Sequence, residues 1–194
     1  MSGGKILDLC TYDGAALRCM LRKFPDAAYT FSDHLPYVGS IFRKFRSDLE
    51  FVLADESHVL EAGDASVDAV TCFHKIEFTP NWERIVREAF RVLKPGGYLF
   101  ISTSQPSFAK RFFDMSRAYF LSWPNKPNVY DGNPYYKIGP FGRRNLSSVS
   151  EVGKQAGFCI RSSGVERVHG AVLGHDYGWI LFSKDGSLAL DCKT

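Results

Sequence analysis

The chain has 194 residues, 45% of them hydrophobic and 23% charged, with a formal net charge of +3 at pH 7. That composition supports one domain with a sizeable core and excludes a disordered or low-complexity chain, while the small charge gives no broad basic face for nucleic acid. No apolar run approaches the roughly 20 residues that cross a bilayer, and Met1 to Lys5 leads into strand-like sequence rather than a signal peptide, so no membrane association and a cytoplasmic location are expected.

Lys5 to Leu9 predicts a first strand, and Leu17, Met20, Leu21 and Phe24 recur at helical spacing across Ala15 to Phe24. Tyr29 to Ser32 reads as a second strand and Val38 to Phe45 as a helix. Glu50 to Leu53 and Val67 to Phe73 supply strands three and four. Trp82, Ile85, Val86, Ala89, Phe90 and Leu93 then lay one apolar stripe along a helix, leaving Glu83, Arg84, Arg87 and Glu88 to water. Thr79 and Pro80 are expected to open it, a hydroxyl cap followed by a proline where no donor is missed. Pro95 cannot continue that helix, and Gly96-Gly97 can supply a positive-φ turn into a fifth strand over Tyr98 to Ser102. Ser148 to Ala156 predicts a last helix stopped by Gly157, with final strands over Phe158 to Val165 and Trp179 to Ser183. Strands alternating with helices imply an α/β domain built on a mostly parallel sheet covered on both faces.

The five cysteines, Cys10, Cys19, Cys72, Cys159 and Cys192, form no Cys-x-x-Cys pair. Neither zinc nor a disulfide framework is expected, and most of them read as small core residues. His34, His58, His169 and His175 show no spacing that suggests a metal site.

Five fragments in register carry a resemblance. They are Ile6-Leu7-Asp8-Leu9 with Gly14 after the first strand, Asp33 closing strand two, Ala54-Asp55 after strand three, Val67-Asp68-Ala69-Val70 in strand four, and the Lys94-Pro95-Gly96-Gly97 turn. Together they resemble a class I methyltransferase that uses S-adenosylmethionine, of the small-molecule group that includes quinone methyltransferases. The resemblance covers nearly the whole chain and implies a Rossmann-like fold of seven strands, a single domain over residues 1–194. Its ligands would sit beyond the carboxyl ends of the strands, where strand order reverses. It assigns Asp33 to the ribose hydroxyls and Asp55 to the adenine amino group, with Glu56 able to substitute for either. It places Asp8, Cys10, Tyr12 and Gly14 around the methionine portion. The alternative for these acids is helix capping or turn formation, where Asp is common.

The chain departs from the family pattern at the first loop. A Gly-x-Gly-x-Gly loop lets the backbone approach the cofactor near a helix N-terminus, whereas this chain has Cys10-Thr11-Tyr12-Asp13-Gly14. Cys10 and Tyr12 would each cost on the order of 1–2 kcal/mol at positive φ. Either the loop has relaxed and binds the cofactor differently, or it no longer binds it. The Gly-x-Gly-x-x-Gly dinucleotide fingerprint is absent altogether. Family members commonly carry one or more helices before the first strand, whereas here the strand is expected at about Lys5, and the pocket is expected to be open or closed by another chain.

Methyl transfer from a sulfonium depends chiefly on alignment of nucleophile, methyl carbon and sulfur, and needs no metal. His74, at the end of strand four, is the best-placed base for an acceptor that must lose a proton, with Glu77 next; the alternative is a histidine held by backbone groups. The segment of about 103–145 reads as a lid or substrate insertion, far longer than an ordinary connection. Its aromatics, among them Tyr119, Trp123, Tyr135 and Tyr136, interleave with Lys110, Arg111, Arg117 and Lys126. They suit a planar or anionic small-molecule acceptor, or they form the lid's own small core. A single-strand nucleic-acid surface is a minor option. The expected activity is methyl transfer to a small or medium organic acceptor. Its rivals are a catalytically silent scaffold acting as a binding or regulatory subunit, and a cofactor-assisted reaction without methylation.

Overall fold

The computed structural model describes residues 3–9, 14–33, 36–44, 46–53, 60–73, 76, 79, 81–106, 145–166 and 175–185. The strands are β1 (Lys5–Leu9), β2 (Ala28–Asp33), β3 (Glu50–Leu53), β4 (Val67–Phe73), β5 (Leu93–Pro106), β6 (Cys159–Glu166) and β7 (His175–Ser183). The helices are α1 (Ala15–Lys23), α2 (Pro36–Arg43), α3 (Trp82–Val92) and α4 (Leu146–Gln155). All seven strands form one sheet in the order β3-β2-β1-β4-β5-β7-β6. The first five are parallel, and β7 runs antiparallel between β5 and β6. The order reverses between β1 and β4, because the chain builds outward from β1 to β3 and then returns to the other side. This is the Rossmann-like methyltransferase fold.

Alternation along the strands divides the core between two faces. Leu7 and Leu9 of β1, Val70 and Cys72 of β4, and Leu99 and Ile101 of β5 pack beneath α3 and Val149 of α4. Ile6, Tyr29 and Phe31 turn the other way, toward Leu17 of α1 and Val38 and Phe42 of α2. The stripe on α3 is buried at Trp82, Ile85, Val86, Ala89 and Val92, as its spacing predicts.

Four local devices differ from or add to the sequence expectations. The N-cap of α3 is Asn81, whose side chain makes no capping bond, so Thr79 does not cap the helix; Thr79 is instead buried at 2% exposure. At the other end of α3, Lys184 Nζ donates to the carbonyls of Phe90 (2.6 Å) and Leu93 (2.7 Å), supplying cationic partners to a helix C-terminus. Strand β5 starts directly at Leu93, and its bulge holds the expected glycine turn, with Gly96 at φ +80°. It also continues to Pro106, taking the first residues of the segment assigned to the lid. The helix expected from Ser148 begins at Leu146 because the side chain of Asn145 accepts from the Ser148 amide at 2.7 Å.

Cys19 and Cys72 are free thiols, the first exposed and the second buried. Cys159 is disulfide-bonded, which corrects the expectation that no disulfide is formed. Among the described residues no helix is long and apolar enough to cross a membrane.

Candidate functional site

Asp8 and Asp33 stand at the carboxyl edge of the sheet on neighbouring strands, and both side chains belong to residues with no solvent exposure. Asp33 is the last residue of β2 and lies opposite Leu53, the last residue of β3. It therefore sits where both strands release their chains toward a ligand crevice. Asp8 faces Thr71 across the β1/β4 pairing, and the Thr71 hydroxyl donates to its Oδ1 at 2.5 Å. That bond joins the two strands between which the order reverses. A buried carboxylate needs such donors, because its desolvation is otherwise uncompensated.

Gly14 occupies the N-cap of α1 at φ +72°, a left-handed conformation that favours glycine. A Cβ built there would lie 1.9 Å from Phe42 Cζ, so the ring from α2 fills the space a side chain would need. The one loop glycine that survives is thus demanded by helix packing, independently of any ligand. Gly14 has no side chain to cap α1, and among the described residues no side-chain cap is made.

Two residues that the sequence reading passed over enter here. Ser102 and Thr103 of β5 are 5% and 0% exposed, and their hydroxyl oxygens are buried with no hydrogen-bond partner among the described residues. Ser102 lies opposite Phe73, the end of β4, which places the pair beside the crevice. The only signal in the sequence is a polar Ser-Thr-Ser run interrupting an apolar strand. Phe73 packs on Phe100 at a centroid distance of 5.1 Å, and Phe100 stacks on Trp179 at 6.3 Å, so Ser102 shares its sheet face with an aromatic row.

Cys10, Tyr12, Asp55, Glu56 and His74, and the lid residues Tyr119, Trp123, Tyr135 and Tyr136, lie outside the described residues. An apolar groove of about 280 Å³ opens between Met20 of α1, Phe24 at its C-cap, and Ile6, Ala69, Tyr98 and Phe100 of the sheet. It reaches Gly4 and Asp68 at the amino ends of the strands and extends to Thr71, the partner of Asp8.

A mostly parallel sheet with this strand order defines a doubly wound α/β domain, whose ligand site lies at the carboxyl edge near the reversal point, one strand from the buried acid that ends β2. Residues 7–101 match the family described as a methyltransferase domain. A demethylmenaquinone methyltransferase of Thermotoga maritima is 34% identical over 117 residues, covering 60% of this chain and 51% of that protein. A ubiquinone/menaquinone biosynthesis C-methyltransferase of Bartonella tribocorum is 30% identical over 141 residues, 68% of this chain and 51% of the other. The chain spans about half the length of these curated relatives. Among solved structures, the methyltransferase in the Haloferax volcanii complex with the activator Trm112 superposes with a TM-score of 0.69 at 17% identity, over 97% of this chain and 85% of that one. The chain carries a domain of the class I S-adenosylmethionine-dependent methyltransferase family.

The residues present suit that cofactor. A buried acid ends β2, and the Ser102 and Thr103 hydroxyls have no hydrogen-bond partner among the described residues.

Proposed function

We propose that this domain binds S-adenosylmethionine beyond the carboxyl ends of β1, β2 and β4 and catalyses methyl transfer to a small or medium organic acceptor, planar or anionic. The observation that carries the reading is Asp33, a fully buried carboxylate closing β2 one strand away from the reversal of strand order. When bound, the cofactor supplies an electrophilic methyl group on a sulfonium centre. Asp33 accepts hydrogen bonds from the ribose hydroxyls, and Asp55, or Glu56 in its place, accepts from the adenine amino group. Cys10, Tyr12 and Gly14 carry the backbone around the methionine portion, with Asp8 bracing the strand that leads into them.

The acceptor lies over the ends of β4 and β5. His74 takes its proton where one must leave, and Tyr119, Trp123, Tyr135 and Tyr136, in the lid between β5 and α4, stack on its ring. Two relatives named for quinone biosynthesis support a planar acceptor. A partner chain over the crevice is part of the same reading, supported by the activator bound to the Haloferax neighbour. The expected location is the cytoplasm.

Calorimetric titration with S-adenosylhomocysteine tests the cofactor site, and the mass of a product formed with S-adenosylmethionine tests the reaction, since only methylation adds a methyl group. Absence of heat at high protein concentration would overturn the reading. A second reading, a silent scaffold, draws on Gly14: its left-handed φ and the Phe42 ring account for its retention without a ligand. Tyr12→Gly separates the two. Lower affinity in that variant makes Tyr12 part of the cofactor site, whereas a gain marks the phenol as an obstruction.

A further inference from the structure

On the face of the sheet that carries α1 and α2, the core stops at Ala69 of β4. Helices α3 and α4 pack on the opposite face, against Leu99, Ile101, Ile180 and Phe182, so beyond Ala69 the α1 side of β5 and β7 has only α1 at its margin among the described residues. Tyr98, Phe100, Leu181 and Trp179 stand on that side and belong to neither core. Register fixes their placement: Tyr98 pairs with Ala69, and Phe100 lies between Thr71 of β4 and Leu181 of β7. Tyr98, Phe100 and Leu181 wall the apolar groove of about 280 Å³, with Met20 and Phe24 among its other lining residues. Phe24 and Tyr98 leave 43% and 38% of their surface open to solvent, so the groove can be entered. Its one carboxylate is already engaged, since Asp68 accepts from the Lys5 amide at 2.8 Å and from Lys94 Nζ at 2.9 Å.

The apolar surface continues past the groove. Phe100 packs on Phe73 at a centroid distance of 5.1 Å and lies nearly parallel to Trp179, at 19° and 6.3 Å. Trp179 in turn lies against Gly164 of β6, where a Cβ would come within 2.9 Å of Cζ2, so the absence of a side chain makes room for the indole. Two residues beyond Phe100, about 7 Å along the strand, comes Ser102, paired with Phe73 on one side and Trp179 on the other. Ser102 is 5% exposed, and its hydroxyl has no hydrogen-bond partner among the described residues. A hydroxyl buried without a partner is costly, and one set between two aromatic side chains points to a polar atom of a ligand. A place for a polar head, aromatic flanks and an apolar groove thus follow one another on a single sheet face.

We propose that the methyl acceptor is an amphiphile: a hydroxyl or carbonyl group bonds to the Ser102 hydroxyl, a ring lies between Phe73 and Trp179, and a hydrocarbon tail runs past Phe100 into the groove bounded by Tyr98 and Leu181. This deepens the acceptor reading above and rests on it. A peptide or sugar would leave polar groups unmet in a groove that offers no free partner, whereas a hydrocarbon chain has none to satisfy. Ser102 orients the head, and the groove selects for the tail.

The test titrates the protein by calorimetry with 4-alkylphenols, from 4-methylphenol to 4-hexylphenol, and with S-adenosylhomocysteine alongside. Wild-type affinity is expected to rise about fourfold per added methylene, the effect of burying one such group, until the groove is full. Ala69→Leu, checked for folding by circular dichroism, narrows the groove and is expected to flatten that rise while 4-methylphenol binds as before. Ser102→Ala is expected to weaken the whole series about fivefold, the scale of one hydrogen bond, and to keep the rise. The same rise in Ala69→Leu, or unchanged affinities in Ser102→Ala, would overturn the proposal. Should Ala69→Leu not fold, Tyr98→Asp places a charge on the exposed side of the groove and is read the same way. Wild-type protein that binds S-adenosylhomocysteine but shows no rise overturns this inference alone, whereas wild-type protein that binds no S-adenosylhomocysteine overturns the methyl-transfer reading and this inference with it.

Discussion

Thr71 and Asp8 are directly opposed on adjacent parallel strands, and the threonine hydroxyl closes on the carboxylate at 2.5 Å in a fully buried setting. This bond spans the junction between β1 and β4, where the order of the parallel strands reverses. It couples the strand leading into the first loop to the strand leading toward His74. The two halves of the proposed site are thereby held at a fixed separation.

Thr71→Val is expected to destabilise the domain by about 1–3 kcal/mol, since the valine leaves a buried carboxylate short of one donor. Thr71→Ser restores the hydroxyl and is expected to recover most of that loss. Urea unfolding of the three proteins checks the order. Equal midpoints for Val and Thr would show that the other interactions of Asp8 suffice.

Gly14→Ala combines a disfavoured φ, costing on the order of 1–2 kcal/mol, with a collision against Phe42 at 1.9 Å. The double variant Gly14→Ala with Phe42→Ala removes the collision and keeps the backbone term. The two substitutions are therefore expected to be less damaging together than the sum of their separate effects, as contacting residues are. Strict additivity in thermal or urea unfolding would mean that α1 and α2 do not meet at this glycine.

Asp33→Asn keeps the size of the side chain and removes its charge. Affinity for S-adenosylhomocysteine is expected to fall by about 1.5–3 kcal/mol, the range for hydrogen bonds to a charged group, measured by calorimetry against unchanged secondary structure. Unaltered affinity would remove Asp33 from the cofactor site.

How much of this was legible in the sequence varied with the physics behind each feature. The α3 stripe and the Val67–Phe73 and Glu50–Leu53 strands could be read because burial imposes a period of 3.6 or 2 on side chains that touch the core. The close of α3 was only half legible. Pro95 announces that the helix must stop, but Lys184, distant in sequence, supplies the cation that satisfies its last carbonyls. The same holds for the site. Asp33 could be placed at a strand end from local pattern, and Gly14 could be singled out, yet the reason for Gly14 is a ring on another helix. Asp8's donor, Thr71, is likewise invisible until β1 and β4 pair. Ser102 and Thr103 were missed because a short polar run at a strand end looks like an ordinary exit from the sheet, and only three-dimensional burial reveals their unmet hydroxyls. The role of Arg91 is equally hidden, since its partners at Leu60, Ala62 and Asp64 lie in a different connection.

Stability toward acid follows from Asp68 and Glu88. Asp68 is held below its usual carboxylate range first by the Lys5 amide and then by Lys94, and Glu88 is held low chiefly by Arg91. Both groups bind protons more readily when the chain is unfolded. In the acid range the unfolded chain therefore carries more protons, and stability rises with pH there. Their contribution is complete above the ordinary carboxylate range of about 4 and is lost as pH falls through the lower values of the folded state. Both sites are partly screened by water, so each effect is smaller than for a buried pair. Urea midpoints of wild type are expected to hold steady from neutral pH to about pH 5 and then decline. Glu88→Gln should start from a lower midpoint and decline less steeply below about pH 4, because it has no carboxylate left to protonate beside Arg91. Parallel wild-type and Glu88→Gln curves over that range would show that the Arg91 pair contributes nothing to the pH dependence.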